Sequence, residues 1–286
     1  MNVRLWAVCL LLITSLGSHT FAADADPDSN WNSHFQQQIK HWIEDLSSKD
    51  EKFAVWKGAR TEVQALGVHS RQWLIRLSKE DSYVGYLVVG EAPDPDLQQP
   101  PEKPTFVLLE YGLGEFILFH DAFAPLQIAA EPVYDGFASH WEVALDAQHQ
   151  QYIDAKTGEK YPSTVEDPPP LVMPTLPSKE LIRSDGLLTR HHTVSQEATD
   201  PFDRIDWVKA APLATDESGG WRGLWQNKEQ RIVVTASLFQ NQVFAPFTVG
   251  SIHVWNDSIA YIGVWDEGLR YLPASYVTKV GKLVAS

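Results

Sequence analysis

The sequence predicts an α+β protein: an N-terminal helix packed on a curved antiparallel sheet, followed by a mostly antiparallel β second domain. Three observations carry that expectation. An apolar stripe at helical spacing comes first, alternating aromatic and β-branched runs follow, and a proline-rich stretch separates these from a second set of strand-like runs.

The helix is read from Trp31, Phe35, Ile39, Trp42, Ile43 and Leu46, which fall on one face at a period near 3.6. Asp28, Ser29 and Asn30 each offer an N-cap side chain. A shorter helix over 50–57 carries Phe53 and Trp56 and stops at Gly58. Strands are expected at 71–77, 83–89 and 106–110, with a polar turn at 78–82. The loop 91–104 holds five prolines and is excluded from a sheet interior. Residues 115–119 continue the third strand or turn back across it, and a short helix is expected over 123–129.

The runs 140–145 and 151–154 read as a hairpin. It leaves through Asp154-Ala155-Lys156-Thr157-Gly158-Glu159, where Gly158 supplies a positive φ and Asp154 binds local amides. Six prolines between 162 and 177 then make a stiff connector. Strands are expected again at 231–239, 243–247, 251–255, 259–264 and 269–271, with a closing helical turn at 275–280. The organisation follows: a signal peptide at 1–22, an α+β domain at 29–161, a linker at 162–178 and a β-rich domain at 179–286.

Arg4, the apolar run 5–16 and Thr20-Phe21-Ala22 have the layout of a removable export signal. The single cysteine, Cys9, lies inside it, so the mature chain is expected to carry no thiol, no disulfide and no thiolate metal site. A formal charge of −14 disfavours nucleic acid and anionic lipid as partners. No later run is long and apolar enough to span a bilayer, which takes about 20 residues. The expected location is extracellular or at the cell envelope.

The order of helix, strands and a last hairpin ending in Asp154-Ala155-Lys156-Thr157-Gly158-Glu159 resembles PepSY-type modules and the cystatin-like prosegments of streptopain-type secreted proteases. The paired phrases Gly85-Tyr86-Leu87-Val88-Val89-Gly90 and Val107-Leu108-Leu109-Glu110-Tyr111-Gly112 are similar to paired strands of those prosegments. The chain as a whole resembles uncharacterised exported proteins of Gram-positive bacteria. The resemblance spans about residues 31–161 and implies a fold that binds or inhibits rather than one that catalyses.

Candidate site residues are few. Glu110, Tyr111 and Glu115 place two carboxylates and a tyrosine at a glycine-softened strand end, a pattern suited to acid–base work on glycosides. His253 and Trp255 lie on a run that resembles the histidine-bearing strand of papain-like peptidases, but the mature chain offers His253 no thiol to activate. The adjacent pair His191-His192 points to opposite strand faces, so one metal does not take both. His120-Asp121 lacks a serine elbow to serve. The expectation is therefore a secreted binding or regulatory protein for a peptide or protein partner, with no catalytic residue, metal or cofactor. The alternative is a secreted hydrolase using the glutamate pair, or an inactive relative of a papain-like peptidase.

Overall fold

The computed structural model describes residues 29–67, 70–92, 104–125, 130–146, 149–162, 171–213 and 231–285. The expected signal 1–22, most of the loop 91–104, residues 126–129 of the helix expected over 123–129, and residues 163–170 of the expected linker lie outside the described residues.

Helix α1 (Ser29–Lys49) forms where the stripe predicts it, and Phe35, Ile39, Trp42 and Leu46 are all buried. The shorter helix is a 3₁₀ segment, Glu51–Trp56, whose N-cap Asp50 accepts a hydrogen bond from the Lys52 amide. A short 3₁₀ turn at Asp121–Phe123 is what the described residues show of the helix expected over 123–129.

The strands β1 (Arg60–Leu66), β2 (Gln72–Lys79), β3 (Ser82–Ala92) and β4 (Thr105–Leu113) run antiparallel in sequence order. Across the chain lie β10 (Ile232–Leu238), β11 (Val243–Trp255), β12 (Ile259–Trp265), β13 (Leu269–Pro273) and β14 (Gly281–Ala285). They form one large sheet in the order β1-β2-β3-β4-β13-β12-β11-β10-β14. Two further strands join it, β8 (Ile182–Arg183) beside β4 and β9 (Leu188–Thr193) beside β11. A second, three-stranded antiparallel sheet is made of β5 (Ala130–Val133), β6 (His140–Ala144) and β7 (Gln150–Asp154).

The segments 29–161 and 179–286, expected as separate units, share the large sheet. Its seam is β4 on β13, with Tyr111 opposite Tyr271, Gly112 opposite Arg270 and Leu113 opposite Leu269. Residues 171–177 of the expected linker are not a free spacer. Met173 and Leu176 are buried there, and the Val172 and Met173 amides donate to Asp135 Oδ1 at 2.9 and 2.6 Å. The runs 83–89 and 106–110 offer no open sheet edge to an incoming strand, because β3 and β4 each have hydrogen-bonded neighbours on both sides.

Both faces of the large sheet are covered. One face meets α1 and the 3₁₀ segment around Trp42, Phe53, Trp56, Tyr111, Trp255 and Tyr271. The other meets the small sheet and helix α2 (Ala274–Val280) around Tyr86, Tyr134, Trp141, Tyr152 and Tyr276. Successive residues of a strand point to opposite faces, so Glu110 and Tyr111 belong to different layers.

Candidate functional site

Two buried polar clusters lie back to back across β4 and β13. On the α1 side, His253 is fully buried, its Nε2 3.0 Å from Asp50 Oδ2 and its Nδ1 2.8 Å from the Tyr111 hydroxyl. Trp255 Nε1 donates to that same hydroxyl at 3.2 Å. A ring nitrogen facing a carboxylate carries the proton, so the chain of donors runs Trp255, Tyr111, His253, Asp50. Burial lowers the His253 pKa, although Asp50 works the other way. Burial works to raise Asp50, but hydrogen bonds from His253 and the Lys52 amide hold it below the ordinary carboxylate value. Every member of the chain is satisfied, and the phenol of Tyr111 is stacked 4.8 Å from Tyr271.

On the opposite face, Glu110 is fully buried and accepts from four donors. Tyr86 O–H reaches Oε1 at 2.5 Å, Tyr134 O–H reaches Oε2 at 3.0 Å, and Arg270 grips both oxygens at 2.6 and 3.3 Å. Arg270 also donates to Asp266 Oδ2 at 2.9 Å and to the Gly136 carbonyl. Two glycines make this packing achievable. A Cβ on Gly112 would stand 2.2 Å from the Tyr86 ring, and one on Gly136, at φ +57°, would stand 2.4 Å from the Tyr276 ring.

The structure therefore divides the residues singled out in the sequence. Tyr111, His253 and Trp255 are joined in one hydrogen-bonded chain inside the core. Glu110 is locked to Arg270 in the other layer, and Glu115 is exposed beyond the end of β4. The two glutamates do not share a concave surface, and Glu110 has no lone pair left over for proton transfer to a substrate. His191 is exposed, and among the described residues no group of three metal-ligating side chains converges.

The concave site lies elsewhere, at the exit of the β7 hairpin. A cleft of about 480 Å³ opens between the 154–162 turn and the β10–β11 hairpin, within the size range of about 300–1,000 Å³ common for ligand pockets. The turn is built by Asp154. Its Oδ1 accepts from the Lys156 and Thr157 amides at 2.8 and 2.7 Å, and its Oδ2 accepts from the Tyr161 hydroxyl at 2.6 Å. Gly158, at φ +73°, turns the chain back so that the Asp154 amide meets the Glu159 carbonyl at 2.7 Å. Tyr161 then packs on Phe239, ring centroids 4.6 Å apart, which fixes the turn against the β10–β11 hairpin.

That turn presents Lys156 inward. Its side chain is only 5% exposed, and its ammonium lies 4.0 Å from Asp266 Oδ2. Desolvation lowers the Lys156 pKa, with Asp266 partly offsetting it. Burial works to raise Asp266, but Lys156 and Arg270 hold it low. The facing wall is apolar: Phe137 and Phe247 stack at 4.5 Å, and Phe244 stands 72% exposed on β11. A second recess of about 400 Å³ lies at the β2–β3 corner, but its charged groups Arg71 and Glu91 already pair at 2.5 Å.

Sequence reasoning treated the 154–159 phrase as a turn and missed Lys156, Asp266 and Arg270. A signal was present in the phrase itself, a lysine between two residues that the turn pins down. Its burial depends on partners more than 100 residues away. No family model matches the chain, and no curated protein matches it.

Proposed function

We propose that this chain is an exported, non-catalytic binding protein that takes a peptide segment of its partner into the cleft between the 154–162 turn and the β10–β11 hairpin. The single observation that carries the reading is the make-up of that cleft: an aromatic wall with Phe244 left in solvent, facing a pole of buried charge. Pockets with a mostly apolar lining and a few convergent polar groups are the usual form of ligand sites. The likeness to PepSY and cystatin-like modules points the same way, as does the engagement of Glu110 and His253 in internal hydrogen bonds. The export signal expected at 1–22 supports binding outside the cytoplasm.

The test is a titration of the purified chain with fluorescent peptides ending or centred on aromatic residues, read by anisotropy, beside assays with chromogenic glycosides and peptide substrates. Saturable binding without turnover is the expected result. Glycoside hydrolysis that disappears in Glu110→Gln would overturn the reading in favour of the hydrolase.

A further inference from the structure

We infer that the cleft recognises the free carboxyl terminus of a peptide whose last side chain is bulky and apolar, with Lys156 as the group that binds the carboxylate. The inference rests on the binding reading above and names its ligand.

The charges at the pole are unequal in their satisfaction. Glu110 and Arg270 complete one another, with two tyrosines and a backbone carbonyl filling the remaining valences. Asp266 accepts from Arg270 at 2.9 Å. Asp154, a further carboxylate acting on the lysine along with Glu110, is engaged by the turn amides and by Tyr161. Lys156 differs from all of these. Among the described residues its ammonium has one ion-pair contact, to Asp266 at 4.0 Å, which is beyond hydrogen-bond reach.

An ammonium offers three donors, and burying one without acceptors is costly. The side chain is 5% exposed, and it lines the cleft. Water in the open cleft supplies acceptors in the free protein, and a ligand carboxylate entering the cleft can take its place beside the ammonium. Desolvation disfavours the charged form of Lys156, and an anion within about 4–6 Å restores it, so a carboxylate serves better than a neutral carbonyl. Glu159 and Lys160 sit exposed on the same turn and offset one another at the rim. The apolar wall of Phe137, Phe244 and Phe247 faces the lysine across the cleft. It accommodates the terminal side chain while the carboxylate meets the ammonium.

The experiment compares three probes on the wild-type chain by anisotropy competition: an acetylated tetra-alanyl-phenylalanine with a free carboxylate, the same peptide as its C-terminal amide, and 3-phenylpropanoate. The free acid is expected to bind at least about ten-fold more tightly than the amide, the usual worth of a hydrogen bond to a charged group. It should also outcompete 3-phenylpropanoate, which lacks the peptide backbone. In Lys156→Met the preference for acid over amide should vanish, and in Lys156→Arg it should persist, with urea unfolding confirming that each variant is folded. Equal binding of acid and amide by the wild type overturns the inference and leaves the binding reading standing. Equal binding of 3-phenylpropanoate and the peptide acid overturns the peptide source. Binding by none of the three, together with no binding across the wider peptide panel, overturns both readings.

Discussion

Asp135→Asn isolates the cost of a single buried charge. Asp135 is 5% exposed, and one oxygen, Oδ1, receives both the Val172 and Met173 amides. Burial pushes its carboxyl up to about 6 from 3.8, against the pull of those two amides. The folded pKa lies above the unfolded one, so between pH 3.8 and 6 the native state holds more protons than the unfolded chain. Its stabilising contribution is therefore complete below pH 3.8 and is lost as pH rises through 6. A shift of roughly two units at about 1.4 kcal/mol each makes the ionised side chain cost about 3 kcal/mol at neutral pH.

Asparagine keeps an oxygen where Oδ1 accepts both amides and removes the charge. The variant should be more stable than the wild type by about 1–3 kcal/mol at pH 7.5, the lower figure allowing for a poorly satisfied amide N–H₂. The gain should shrink toward zero near pH 4. Urea unfolding followed by tryptophan fluorescence across that range measures it. A loss of stability at pH 7.5, or an offset independent of pH, would refute the reasoning.

Three further variants test the same structure. His253→Phe leaves the Asp50 carboxylate buried without its ring partner and should cost roughly 3 kcal/mol in urea unfolding. In the wild type, the lowered His253 pKa makes the unfolded chain bind the extra proton, so acidification below about pH 6.5 erodes stability, and His253→Phe should flatten that slope. Gly112→Ala drives a methyl into the Tyr86 ring and should destabilise by about 1–3 kcal/mol, with loss of near-ultraviolet tyrosine dichroism. Phe244→Ser, at a side chain 72% exposed, should leave the unfolding midpoint within about 0.5 kcal/mol of wild type while weakening peptide binding several-fold.

How much of this was legible in the sequence depends on how local each signal is. The α1 stripe was readable because one face of an isolated helix encodes its own burial. Strand β1 was not, since Arg60, Thr61 and Glu62 are exposed on an edge and show no apolar alternation. Strand β5 contains Pro132, and β14 is short and follows a helix directly, so neither carries a strong strand pattern. The pairing of β4 with β13 joins residues about 160 positions apart, and nothing local announces it. The split of Glu110 from Tyr111 follows from strand periodicity alone, whereas Arg270 as the partner of Glu110 does not. Lys156 looked like a solvated turn residue, because lysine is almost never fully buried unless paired, and its burial is a property of the assembled cleft.

The most direct test of the central claim is an amide chemical-shift map of the isotopically labelled chain with and without the phenylalanine-ended peptide acid. The account predicts changes concentrated at residues 154–161 and 243–247 and at Asp266 and Arg270, with the exposed edge of β1 silent. Shifts confined to β1, or to the β2–β3 corner around Arg71 and Glu91, would contradict it.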